Sequence, residues 1–196
     1  AFEKENYLEK NNLDFYNLIQ NIERKNVKEI CKAFLGFYHF KHDSYSLAES
    51  EFLSTLLFIK DSESRLITGK NKEYEDKIKD EIKRSCTVSY INEYSKFEGI
   101  DEILLAIINL KILKQRFSYL YGMTKFKLGS EINTNNLNPG ANKNKIKKEK
   151  DKKINFFKDA IKYFTQCKNI NYLLGINQIK IIYSLIMISK CYIQLN

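Results

Sequence analysis

Apolar residues recur every three or four positions along almost the whole chain, while strict alternation of apolar and polar residues is sustained nowhere. That period marks amphipathic α-helices. Leu13, Tyr16, Leu18, Ile19 and Ile22 predict a first helix. A second is expected over 28–42, with Ile30, Phe34, Phe37 and Phe40 as its apolar stripe. Ser44 is a candidate N-cap for a third, which carries Leu47, Ala48, Phe52, Leu56 and Ile59. Polar residues from 61 to 71, including Gly69, interrupt the pattern. A fourth helix from about residue 72 then steps by four through Tyr74, Ile78, Ile82, Cys86, Tyr90 and Tyr94, and Gly99 ends it.

The longest periodic run, 103–128, predicts one helix of about seven turns closed by Gly129. Its middle, 104–113, is apolar on nearly all faces, which places it centrally and buried. Residues 130–153 are expected to form a flexible basic insertion, opening with Asn133, Asn135, Asn136, Asn138, Pro139 and Gly140. The helical period resumes with Ile154, Phe157, Ala160, Ile161 and Phe164, and a last helix covers about 176–195.

Composition supports an all-α chain. Its 196 residues include only 7 Gly and 1 Pro, too few breakers for the frequent turns of a β-sandwich or barrel. That length suits a single domain, 1–196, with a core of its own. Cys31, Cys86, Cys167 and Cys191 form no C-x-x-C pair, so neither a zinc knuckle nor a redox motif is readable. The best apolar run, 181–189, is flanked by Lys180 and Lys190 and is far shorter than the about 20 residues a transmembrane helix needs. No export signal is readable, and the start at Ala1 leaves open a cytoplasmic location, or a cell-envelope or periplasmic one if a signal peptide was removed.

The formal charge of +9 is unevenly placed. Lys143, Lys145, Lys147, Lys148, Lys150, Lys152 and Lys153 stand against Glu149 and Asp151, a local +5, so the remainder is only mildly basic. The run contains no arginine and no aromatic residue, which disfavours nucleic acid beyond non-specific, salt-sensitive attraction. Peripheral contact with an anionic membrane is a related alternative, at about 1 kcal/mol per lysine near the surface.

One spaced pattern occurs twice. Leu35-Gly36 is followed by Tyr45, Ala48 and Phe52; Tyr121-Gly122 and Gly129 are followed, across the insertion, by Phe157, Ala160 and Phe164. Thr55 and Cys167 hold the next small positions, and Ile188-Ser189 with Tyr192 suggests a third half-copy. This spacing resembles the tetratricopeptide repeat. The resemblance implies antiparallel helix pairs in a right-handed array; the alternative is an ordinary helical bundle with small residues at its crossings. It further implies a non-enzymatic interaction module or adaptor whose groove is lined by Phe37, Phe40, Lys41, Arg116, Tyr119, Met123, Phe126 and Lys127. Those side chains suit another protein, an amphipathic helix or helical surface, better than a terminal carboxylate, because Ala33, Phe37, Tyr119 and Met123 stand where carboxylate-gripping repeats use Lys and Asn. The chain's own 74–94 helix is an alternative occupant, and its tyrosine-rich seam an alternative site of self-association.

Catalytic chemistry finds no starting residue. There is no G-x-S-x-G, no H-E-x-x-H and no phosphate-cradling glycine loop. His39 and His42 share a helix face beside Asp43, a spacing compatible with two metal ligands, but no third is indicated. No enzyme activity, metal or cofactor is expected.

Overall fold

A computed structural model describes residues 25–67, 80, 102–132, 143–175 and 177–195. Its five helices are α1 (Lys25–Lys41), α2 (Tyr45–Ile67), α3 (Glu102–Glu131), α4 (Lys143–Leu174) and α5 (Gln178–Leu195). No strand occurs among the described residues, and the fold is all-α. The helices expected near 13–22 and over 72–98, with the 74–94 seam, lie outside the described residues.

Each helix packs chiefly on its neighbours in chain order: α1 on α2, α2 on α3, α3 on α4 and α4 on α5. Short turns create two of these pairings. After α1 the chain reverses at Asp43, whose φ of 58° is left-handed, while the Ser44 N–H donates to the His39 carbonyl at 2.9 Å. Asp tolerates that conformation better than most residues, and the bond satisfies a carbonyl left open at the helix end. Ser44 is the residue before α2, and its carbonyl accepts the N–H groups of Leu47 and Ala48, both at 3.1 Å. Its hydroxyl, however, donates to the His42 carbonyl instead of capping the helix. Between α4 and α5, Gly175 takes φ 61° and Asn177 φ 48°. The Asn177 side-chain oxygen accepts the Lys180 N–H at 3.1 Å and starts α5.

Glycine against phenylalanine sets the close approach within both pairs. A Cβ on Gly36 would lie 2.9 Å from the Phe52 ring, and one on Gly122 would lie 2.9 Å from the Phe164 ring. Gly129, seven residues past Gly122, meets Phe157, seven residues before Phe164, with a would-be Cβ 3.1 Å away. The α3–α4 seam therefore repeats small against large at an antiparallel, seven-residue interval. The next layer of the seam is polar. Gln115 donates to the Cys167 sulfur at 3.4 Å, and Asn171 donates to the Cys167 carbonyl at 3.1 Å. Phe157, Ala160 and Phe164 are fully buried with Met187 and Cys191 of α5; Ala48, Phe52 and Leu56 form a second cluster with Tyr121.

Four expectations are corrected. Residues 61–67 continue α2 instead of breaking it. Gly129 does not close α3, which runs on to Glu131; its missing side chain admits Phe157 rather than ending the helix. Of the insertion expected over 130–153, residues 130–131 belong to α3 and 143–153 to α4, which holds the whole lysine run in helix, while 133–142 lie outside the described residues. Lysine is a good helix former, although a run with Ile146 as its one apolar residue has no readable period. The stripe Ile30, Phe34 and Phe37 is exposed, and α1 buries Ala33, Leu35, Gly36 and His39 instead.

Charge links the layers. Glu63 of α2 accepts from Lys111 at 2.6 Å and Lys114 at 2.8 Å on α3. Burial alone would raise this carboxyl, but the two ammonium groups outweigh it and hold it below the ordinary range. A depressed folded value means that the pair stabilises the protein above the unfolded carboxyl's range and that this contribution is lost as pH falls through the folded value. Glu63→Gln should thus cost about 1 kcal/mol at pH 7, a difference that shrinks below about pH 4 in denaturant titrations of both proteins.

Candidate functional site

Three helices leave an apolar trough of about 540 Å³ between them. Ile30, Ala33, Phe34 and Phe37 of α1 form one wall, Thr55, Phe58 and Ile59 of α2 the floor, and Leu110, Leu113, Phe117 and Leu120 of α3 the other wall. Their positions follow from helix geometry: Ile30, Phe34 and Phe37 recur at intervals of four and three, so they form one ridge. That ridge is open to solvent. Phe34 is 70% exposed and Ile30 55%, with Phe37 and Leu113 above 40%.

Among the described residues, the polar groups of the trough are already occupied, apart from one cation. Glu29 accepts from Lys32 at 3.0 Å and from the Ser54 hydroxyl at 3.0 Å, a triad that ties α1 to α2. The Thr55 hydroxyl donates to the Glu51 carbonyl at 2.9 Å. Arg116 is exposed at the edge and, among the described residues, is the only basic one lining the trough. Such a site offers dispersion and burial, with a single charge to orient what enters.

The eight residues implied by the resemblance do not share one surface. Phe37 and Arg116 line the trough. Lys41 stands 5.4 Å over the Phe37 ring at its end. Phe40 turns to the inner cluster around Phe52 and stacks edge-on against Tyr45 at 5.5 Å. Lys127 lies over the Tyr45 ring at 5.8 Å. Tyr119, Met123 and Phe126 are partly buried against the cluster that α4 and α5 complete, with Tyr119 meeting Phe164 at 5.6 Å and Phe126 meeting Phe157 at 5.6 Å. The chain's own α5 occupies the place a partner would need there. Ile30, Phe34, Leu110 and Leu113 are among the trough residues not foreseen as such. The signal for Ile30 and Phe34 was the continuous stripe on α1, which did not reveal which face is covered.

The lysine run behaves differently as a helix than it would as a loop. Lys147 and Lys150 fall on one side, and Lys148 and Lys152 on the opposite side, so positive charge is spread around the helix. The nearby hollow of about 620 Å³ is lined by Lys125, Lys148 and Lys152, but also by Glu149, Asp151 and Asp159. Lys125 is bonded to Glu49 and lies 3.3 Å from Asp159. Burial would lower this ammonium, but the hydrogen bond from Lys125 to Glu49 and the charge interactions with Tyr121 and Glu49 together outweigh it and hold it above the usual lysine range. The hollow is charge-balanced and gives an anion no net attraction.

His39 is buried and His42 exposed, and Tyr38 stacks against the His42 ring at 4.4 Å. Burial, aided by His42, lowers the His39 value and favours its neutral form. Among the described residues no group of three or more potential metal ligands occurs, and no helix is long and apolar enough to cross a membrane. Comparison of the chain with protein-family models, curated proteins and solved structures gave no match.

Proposed function

We propose that the chain is a non-enzymatic helical adaptor that binds an amphipathic helix of another protein in the α1–α2–α3 trough. The observation that carries this reading is the exposed ridge Ile30, Phe34 and Phe37 facing Leu113 across an apolar floor. Contiguous apolar surface is costly to leave in water and marks interaction sites. Helix-in-groove recognition uses anchors at intervals of three and four, the same spacing the trough wall presents. Arg116 at the edge favours a partner with an acidic residue beside its apolar stripe. The repeated glycine–phenylalanine contacts of the two pairs support the tetratricopeptide-like reading of the scaffold.

The test is retention of a partner from native extract by the full chain. Phe34→Glu and Arg116→Glu should each abolish retention with the circular dichroism spectrum unchanged. Tyr172→Glu, at a residue 81% exposed on α4, should leave it intact. Replacing Lys147, Lys148, Lys150 and Lys152 together by Gln should also leave it intact. Loss on that last change alone would refute the trough in favour of an anionic partner.

A further inference from the structure

The last helix is apolar almost all the way round, a pattern that belongs to helices covered on every side. In α5, Ser184, Met187 and Cys191 face α4 and are buried. On the other side, seven large apolar side chains remain between 43% and 70% exposed. Five positions of that face, Ile179, Ile182, Ile186, Ser189 and Ile193, follow one another at intervals of three, four, three and four. That alternation is the seam of a helix pair.

We propose that α5 pairs antiparallel with α5 of a second copy of this chain. Three observations select that occupant. The stripe is self-complementary: reversed about a point between Met187 and Ile188, Ile182 falls opposite Ile193 of the second copy and Ile186 opposite Ser189. Small meets large, as Gly122 meets Phe164 within one chain. The stripe also carries no charge; Lys190 borders it opposite Leu185, where its methylene stem covers apolar surface and its ammonium reaches water. Finally, the seven exposed side chains offer on the order of 800 Å² per copy, about what one partner contributes to an interface of standard size. A two-fold axis uses the same patch twice and closes the assembly at two copies. The trough lies on α1, α2 and α3 and is untouched by this contact.

Sedimentation velocity of the full chain tests it. The mass should rise from 23.2 kDa at low concentration toward twice that value as the sample is concentrated. Ile186→Asp should hold the chain monomeric at every concentration with helicity and melting temperature of the monomer unchanged. Ile182→Glu and Ile193→Lys should each weaken the dimer at least tenfold. Combining both changes in one chain should restore it, because each Glu then faces a Lys of the other copy. A wild-type chain that stays monomeric throughout, or a dimer indifferent to Ile186→Asp, would overturn the proposal. Failure of the combined variant to recover would overturn the antiparallel register. A monomer whose melting temperature falls on Ile186→Asp would show that the chain covers this face itself.

Discussion

Replacing Phe164 by alanine should destabilise the protein by about 3–5 kcal/mol, the range for emptying a fully buried aromatic site. The ring is 0% exposed, lies against Gly122 and meets Tyr119 edge-on at 5.6 Å. It touches the cluster that Met187 and Cys191 complete, so its removal loosens α5 as well as the α3–α4 seam. Collapse around the void is resisted because both neighbouring layers of that seam are tightly filled, one by Phe157 against Gly129 and the other by Gln115 and Cys167. Chemical denaturation followed by circular dichroism measures the loss. A value under about 1.5 kcal/mol would mean that the seam repacks freely and that Phe164 is not its key.

Gly122→Leu should fail for the opposite reason. Its Cβ alone would stand 2.9 Å from the Phe164 ring, closer than side chains tolerate, and the ring has no open space to retreat into. Leucine gains about 0.8 kcal/mol of helix propensity over glycine. Overpacking costs about 1–3 kcal/mol or more and prevails. The two errors are complementary, one leaving a void where the other places excess volume. The combined Gly122→Leu/Phe164→Ala chain should therefore be more stable than the sum of the single losses implies, by about 2 kcal/mol in a double-mutant cycle. Strict additivity would show that the two residues do not share one layer.

These seam residues were legible in the sequence because their spacing is itself the signal. The spacing of Tyr45, Ala48 and Phe52 recurs in Phe157, Ala160 and Phe164, each set following a helical glycine, Gly36 or Gly122, and both glycines do lie against the phenylalanines. The start of α4 was not legible. A lysine run has no apolar period, and helix propensity, which favoured it, is a weak signal beside Asn133 to Gly140 just upstream. The open face of α1 was hidden for a different reason. Leu35, Gly36 and His39 could equally have been its outer side, and sequence marks both faces as apolar without saying which one another helix covers. Tyr119, Met123 and Phe126 illustrate the same ambiguity at the opposite end, where α5 takes the surface that a partner was expected to use.

The register of α3 on α4 is fixed by side chains inside the pair. Gly129 meets Phe157 and Gly122 meets Phe164, contacts made between residues of α3 and α4 themselves. Closing a loop costs only about 0.6 kcal/mol more for each doubling of its length. The joint is thus a place where the chain can acquire, lose or exchange sequence over evolutionary time without disturbing what it connects. Lengthening there carries α4's charged first turns along as a unit, which makes this hairpin a natural point for the chain to diversify.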